Sequence, residues 1–443
     1  MRKYSFRGGI HPLRDTHEGK EQTRNKPIRE VAAPQLVRIP MDMHIGAPSE
    51  PIVKKGDRVL LGQKIAEAVG GIGIPVHASV SGTVTEVAAY QMMHKKPSLC
   101  VSIENDGLDE WVQLAPLGDV ETVATDLIIP AVKEAGICGM GGACFPTHIK
   151  MSPPAGKTID TVLLNGAECE TFLTADFRLM VEQPERVVNG LRAVMRGMGV
   201  SRGVICIEDN KPEAIEAITR VAAGREGVDV AALKTKYPQG GEKQLIFAVL
   251  GREVPAGGLP MDAGAIVLNV STAAAIADAI IEGKPLVSRI TTVAGAVVNP
   301  DNLLLRVGTL LKDAAEACGG YAKEPGKIFV GGSMTGVCAP NDEASLTKAN
   351  NGLVIFDKKD AQLPDESNCI RCGRCVDACP VWLSPYQMKR DYQLGKLDEM
   401  ENKWHVMECI LCGSCSYVCP ARQYLTPAFK DAKDIITARR MKQ

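Results

Sequence analysis

Three observations predict a multidomain protein of the α/β-plus-β class. The chain has 443 residues, enough for about three domains at roughly 100–200 residues each. Short β-type runs in its first quarter give way near Leu117 to alternating strands and helices. Eight of its 15 cysteines fall in two like runs near the C-terminus. Composition is that of a folded globular chain, 45% hydrophobic and 23% charged, which excludes a disordered or collagen-like protein. With 51 Lys+Arg against 52 Asp+Glu there is no concentrated basic field for a nucleic acid. No stretch of about 18 residues is free of polar interruption, so no transmembrane helix is expected. The N-terminal basic residues Arg2 and Lys3 are followed by no apolar segment, so no secretory signal is expected. In a reducing compartment the thiols then point to metal rather than to disulfides.

In order along the chain, residues 1–30 are basic, with eight Lys/Arg against four acids. Asn25 to Pro48 is punctuated by Pro27, Pro34, Pro40 and Pro48, which forbid a long helix. Strands are expected at Pro51–Lys54, Arg58–Leu61, Lys64–Ala68, Val76–Val80 and Thr83–Val87, with turns at Lys55-Gly56-Asp57 and Ser81-Gly82. In the α/β region, Thr161–Leu164 and Gly203–Ile207 read as strands, and Pro184–Met198 and Glu213–Ala223 as helices. Tyr237–Leu250 continues the series, and Gly264–Gly283 reads as a buried strand followed by a helix. Ser288–Phe356 returns to short strands with one helix at Leu305–Cys318. A charged linker, Asp357–Ser367, leads to the cysteine-rich end and a basic helical tail, read as a solvated face.

Cys369-x-x-Cys372-x-x-Cys375-x-x-x-Cys379-Pro380 recurs 40 residues later as Cys409-x-x-Cys412-x-x-Cys415-x-x-x-Cys419-Pro420. Three closely spaced thiolates can wrap three corners of a cubane while the following helix carries the fourth away. Zinc asks for paired ligands at tetrahedral spacing and needs neither the third cysteine nor Cys-Pro. The pattern resembles bacterial two-cluster ferredoxins, in which the fourth cysteine ligates the other cluster. The resemblance implies one [4Fe–4S] on Cys369, Cys372, Cys375 and Cys419, and a second on Cys409, Cys412, Cys415 and Cys379. The remaining cysteines (100, 138, 144, 169, 206, 318 and 338) lack ligand spacing and are expected to be buried free thiols, Cys144 and Cys169 near a flavin.

Gly139-Met140-Gly141-Gly142-Ala143-Cys144-Phe145-Pro146-Thr147-His148-Ile149-Lys150 is a glycine loop whose N–H groups can close on a phosphate or an isoalloxazine. It is neither a G-x-G-x-x-G fingerprint nor a P-loop. With Asn165-Gly166-Ala167-Glu168-Cys169-Glu170, Tyr237-Pro238-Gln239-Gly240-Gly241-Glu242 and Asn269-Val270-Ser271-Thr272, it resembles, in order, the flavin site of the NADH-binding subunit of respiratory complex I. That implies FMN among Gly139, Gly141, Gly142, Lys150, Asn165, Glu168, Gly240, Asn269 and Thr272. It places Phe145, Glu170 and Glu242 toward NAD(H), the acids accepting ribose hydroxyls. The chain departs from that pattern at Ala167 (an Asp there), Gly241 (a Glu) and Cys144 (a Gly).

Val53–Gln63 and Ala78–Val84 resemble the strands of lipoyl and biotinyl carriers, but Gly70 stands where a carrier lysine is needed. Together with the Gly8-Gly9-Ile10-His11-Pro12 start, the order of parts resembles the RnfC family of Rnf complexes, membrane-bound ferredoxin:NAD⁺ oxidoreductases coupled to ion translocation. The resemblance implies a barrel-sandwich-like β module without carrier lysine at 1–115 and an FMN/NADH-binding α/β domain at 116–287. A β-grasp (SLBB-like) domain at 288–358 and a helical ferredoxin-type domain with two [4Fe–4S] clusters at 359–443 complete it. The implied role is an electron-transport subunit, peripheral on the cytoplasmic side of the cell membrane. Its implied partners are NADH, the membrane-embedded subunits and an iron–sulfur B-type subunit, with no catalytic acid–base pair. Two other readings share these parts: a soluble NADH-dependent reductase such as a cobalamin reductase, and a non-enzymatic electron relay.

Overall fold

The computed structural model describes residues 3–93 and 96–441, so Met1 and Arg2 of the basic start and Lys442 of the tail lie outside it. The described strands form four sheets. The central one is parallel and five-stranded, in the order Lys3–Tyr4, Val228–Leu233, Arg202–Glu208, Thr161–Gly166, Ala265–Asn269. Its strands are apolar on both faces, as a sheet covered on both sides requires. Val162 and Leu164 point into a core shared with helices Pro184–Met198 and Val270–Ile281, while Leu163 faces helix Glu242–Leu250. The first two helices pack backbone to backbone. A Cβ on Gly190 would sit 1.8 Å from the Ala273 carbonyl oxygen, so only glycine fits the crossing.

The β module joins the sheet Leu36–Pro40, Ser98–Asn105, Gly82–Tyr90, Arg58–Val59 to a smaller one of Glu50–Pro51, Lys64–Glu67 and Val76–His77. Val37, Ile39, Val59, Ile65, Val76, Val84, Val101 and Ile103 fill the space between them. Several of these strands are shorter than the sequence suggests, and Ser98–Asn105 is an additional one. Gly70 lies exposed beyond Lys64–Glu67, with open space around its Cβ position.

The assignment of residues 1–115 to one module needs correction. Lys3–Tyr4 extends the central sheet beside Val228–Leu233, and Ile28–Glu30 pairs in parallel with Asp301–Arg306 in the third unit. Extended, proline-punctuated chain can serve as an edge strand wherever backbone groups are free, so the first thirty residues lace other domains together. Between them, Arg14–Gln22 forms a 3-10 segment.

The third unit is a six-stranded mixed sheet: Val337–Cys338, Pro325–Val330, Gly352–Asp357, Ser288–Gly295, Asp301–Arg306, Ile28–Glu30. The helix expected at Leu305–Cys318 is also corrected. Leu305 and Arg306 end a strand, the chain turns at Val307–Gly308, and the helix runs Leu311–Glu316. Val307 N–H and Gly308 N–H bond to the carbonyls of Val287 and Leu346, which removes them from any helical ladder. Beyond the linker, helices Arg374–Asp377, Pro385–Gln393, Leu397–Asn402, Ser414–Tyr417 and Leu425–Arg440 enclose the repeat around Met388, Met400, Val406 and Phe429.

Candidate functional site

Strand order reverses at Thr161–Gly166, whose neighbours Arg202–Glu208 and Ala265–Asn269 lie on opposite sides. Such a switch point leaves a crevice beyond the carboxyl ends of the strands, where open α/β sheets bind ligands. Asn165 and Asn269 are register partners at those ends. Here a cleft of about 670 Å³ opens, and its walls include Gly139, Gly141, Gly142, Phe145, Lys150, Asn165, Glu168, Glu170, Gly240, Glu242 and Asn269. Of the residues the sequence pointed to for FMN and NAD(H), only Thr272 does not line it. Thr272 lies behind the glycine loop, and its hydroxyl accepts the Met140 N–H at 2.9 Å.

Each polar wall residue is held from behind. Asn165 donates to the Gly240 carbonyl at 2.8 Å and accepts the Ala167 N–H at 3.1 Å. Asn269 caps helix Val270–Ile281 through Ser271 N–H at 2.8 Å and donates to the Asp176 carboxylate at 2.6 Å. A Cβ on Gly141 would lie 3.1 Å from the Asn269 Cβ, so the loop rests on this asparagine without room for a side chain. The Lys150 ammonium bonds Val267 O at 2.9 Å and pairs with Glu242 at 2.7 Å, within reach of a phosphate at the same place.

Two acids have roles the sequence did not reveal. Glu168 takes the N–H groups of Asp176 and Phe177 at the start of helix Ala175–Glu182, and burial pushes its carboxyl up to about 7. Glu170 accepts from Met334 N–H and Thr335 N–H, both at 3.0 Å, and from the Thr335 hydroxyl. Both of its oxygens are therefore engaged by the third unit, which competes with the ribose contact expected of it. Burial raises its carboxyl pKa as well.

Sequence reasoning missed Lys20. It is 3% exposed, and its ammonium donates to the carbonyls of Glu168, Glu170 and Leu173 at 2.9, 2.7 and 2.7 Å. The basic start of the chain thus supplies the cation that shapes the acidic turn. The only sequence signal was an excess of positive charge there.

The eight repeat cysteines line two cavities, grouped by fours. Cys369, Cys372, Cys375 and Cys419 surround one of about 420 Å³, with Cys369 and Cys372 exposed. Cys379, Cys409, Cys412 and Cys415 line the other. Among the described residues no three His, Cys, Asp or Glu side chains converge on a single-ion position. Ile410 and Cys412 line this inner cavity and the large cleft together. The N-terminal Gly8-Gly9-Ile10 fixes the junction. Gly9 N–H bonds Ala378 O at 3.0 Å, Ile10 N–H bonds Tyr237 O at 2.8 Å, and a Cβ on Gly8 would meet Cys379 O at 2.7 Å. Of the other cysteines, Cys338 departs from the expected burial: it is exposed on the edge strand Val337–Cys338.

A switch-point cleft backed by two four-cysteine cavities defines a flavin- and iron–sulfur-bearing electron-transfer protein. Domain matches agree: an RnfC barrel sandwich hybrid domain over residues 4–108, a Nuo51 FMN-binding domain over 132–278, an SLBB domain over 290–337 and a 4Fe-4S dicluster domain over 362–420. The chain is 45% identical to the RnfC-type component of the Na(+)-translocating ferredoxin:NAD(+) oxidoreductase complex of Acetobacterium woodii, over 99% of its own length and 98% of that protein. It is 44% identical to the corresponding component of the proton-translocating ferredoxin:NAD(+) oxidoreductase complex of Clostridium ljungdahlii, covering 91% and 88%. A third relative, from the ion-translocating oxidoreductase complex of Rhodobacter capsulatus, is 39% identical over 90% and 77%. The chain belongs to the RnfC family, a component of ion-translocating ferredoxin:NAD⁺ oxidoreductase (Rnf) complexes. A crystal structure of an NAD+-reducing [NiFe]-hydrogenase in the H2-reduced state shares the fold, with a TM-score of 0.51 at 21% identity, covering 74% of this chain and 69% of that one.

Proposed function

We propose that the chain carries electrons between NAD(H) and ferredoxin as the peripheral subunit of an Rnf-type complex, on the cytoplasmic side of the membrane. The membrane-embedded subunits and the iron–sulfur B-type subunit are its partners. The observation that carries this reading is the wall shared by the flavin-type cleft and the inner cysteine cavity at Ile410 and Cys412. Among the described residues no helix is long and apolar enough to cross a membrane, so attachment runs through partners.

The residues present fit FMN. Gly139 and Gly142 leave backbone open toward the cleft, Lys150 supplies a cation for a phosphate, and Asn165 and Asn269 present amides fixed by buried partners. Bound there, FMN exchanges hydride with the nicotinamide and single electrons with iron–sulfur centres. Phe145 and Glu242 lie on the same wall and are the chain's own contacts for the nucleotide. Cys379, Cys409, Cys412 and Cys415 hold the cluster next to the cleft. Cys369, Cys372, Cys375 and Cys419 hold the outer one, nearer to solvent and so to a partner.

Anaerobic absorption spectroscopy with iron and flavin analysis tests the reading. About eight irons and one FMN per chain, with flavin bleaching on NADH, support it. A flavin unresponsive to NADH supports the relay reading, which draws on Glu170 being already engaged. Isolation with membrane subunits separates the Rnf role from a soluble corrinoid reductase.

A further inference from the structure

Cys138 and Cys144 bracket the glycine loop, and their sulfurs lie 2.9 Å apart. The loop ends are already held together: Cys138 and Pro146 form an antiparallel bridge, and Gly139 N–H bonds Phe145 O at 2.8 Å. Closing a bond of about 2.05 Å therefore needs little backbone movement.

The surroundings are positive and short of acceptors. Lys348, 1% exposed, donates to the carbonyls of Pro75 and Gly136. Arg289, 3% exposed, donates to the carbonyls of Ile290, Met140 and Lys348, and its Nη2 is buried without a partner. Neither makes an ion pair with a carboxylate among the described residues. A buried charge without a counter-ion is costly, and a thiolate between these two cations supplies one. The hydrogen bond from Cys144 holds the Cys138 thiol below its ordinary range against desolvation, with Lys348 and Arg289 acting in the same direction.

Cys144 also carries backbone strain. Its φ is +52°, in the left-handed region, at a position where the complex I loop it resembles has glycine. Its side chain lines the large cleft, whereas Cys138 is fully buried and does not.

We propose that Cys138 and Cys144 are a redox-active dithiol, oxidised to a disulfide within the glycine loop by a small disulfide that enters through the flavin cleft. Cys144 sulfur attacks one sulfur of the small disulfide, its proton passing to the Cys138 thiolate. A mixed disulfide forms on Cys144 and one small thiolate leaves. Cys138 then gives up that proton to the departing thiolate and attacks the Cys144 sulfur, which forms the loop disulfide and expels the second thiolate. Two electrons pass from the protein to the small disulfide, which ends as two reduced molecules. Because the small disulfide reaches Cys144 through the cleft, bound FMN blocks the exchange.

The test uses the full chain, flavin-free and FMN-loaded, equilibrated anaerobically over a range of oxidised to reduced glutathione, alkylated and digested with trypsin. Glu134–Lys150 is one tryptic peptide holding both cysteines and none of the cluster ligands. The expected result is an unalkylated peptide, two hydrogens lighter, in the flavin-free chain. It should revert to the doubly alkylated form with dithiothreitol and form far more slowly with FMN. In Cys138→Ser, which removes the resolving sulfur, Cys144 should instead trap a glutathione adduct. A peptide doubly alkylated at every glutathione ratio, or a wild-type adduct that Cys138 never resolves, overturns the proposal. Equal oxidation rates with and without FMN overturn entry through the cleft.

Discussion

The Tyr237 hydroxyl donates to the Cys412 carbonyl at 2.7 Å, from a side chain 2% exposed. Tyr237 opens the Tyr-Pro-Gln-Gly-Gly-Glu segment of the cleft, and Cys412 belongs to the inner cysteine group. One hydrogen bond therefore ties the proposed flavin site to the proposed inner cluster. Backbone bonds from Gly9 and Ile10 hold the same junction.

Tyr237→Phe removes this donor and leaves a buried carbonyl unpaired, a loss of about 1–3 kcal/mol. The variant should melt at lower temperature and shift the inner cluster's midpoint potential while the outer one stays in place. EPR-monitored redox titration checks it, and equal shifts at both clusters would contradict the assignment.

Lys20→Met should be among the most damaging single changes outside the repeat. Three buried carbonyls lose their donor at once, costing roughly 3–5 kcal/mol, and the acidic turn at Glu168–Leu173 loses its shape. FMN retention on gel filtration and thermal melting should fall together. Loss of stability with undiminished FMN would separate the turn from the flavin site.

Cys379→Ser should disturb the cluster of Cys409, Cys412 and Cys415, although Cys379 belongs to the first run. Cys419→Ser should disturb the outer cluster in the same crossed manner. Iron content should drop by about half in each, and EPR identifies which signal is lost.

Burial pushes the fully buried Glu208 carboxyl from an ordinary 4.5 up to about 7, with the Lys211 ammonium 3.2 Å away opposing the shift. The folded state then binds the proton more tightly than the unfolded one. Glu208 contributes stability that is fully present below about 4.5 and is lost as pH rises to about 7, a fall of about 3 kcal/mol. Hydrogen exchange of the Arg202–Glu208 amides, corrected for intrinsic rates, should show this fall. Glu208→Gln should flatten it, and an unchanged slope would refute the assignment to this carboxyl.

Much of the fold was legible because its signals are local. Helix Pro184–Met198 begins at a proline and ends before a left-handed Gly199, so its limits could be read from the chain. The cysteine spacing similarly grouped residues that line common cavities. What escaped depends on distant partners. Nothing near Ile28–Glu30 shows that it pairs with Asp301–Arg306, and nothing near Lys20 shows that its acceptors are carbonyls about 150 residues away. Glu170 resembled a nucleotide contact in sequence, but the loop that occupies it follows the strand Pro325–Val330 in another domain. Thr272 was placed at the flavin for its position in Asn-Val-Ser-Thr, yet one helical turn puts it behind the glycine loop.

The proposed function requires electrons to cross between the cleft and the clusters through the wall at Ile410 and Cys412. A stoichiometric count decides this: reduce the holoprotein fully, remove excess reductant, add NAD⁺ anaerobically and measure the NADH formed. Two electrons from FMN and one from each cluster predict about two NADH per chain, falling toward one in Cys412→Ser. One NADH per chain in both proteins, with the clusters still reduced by EPR, would mean that the wall does not conduct.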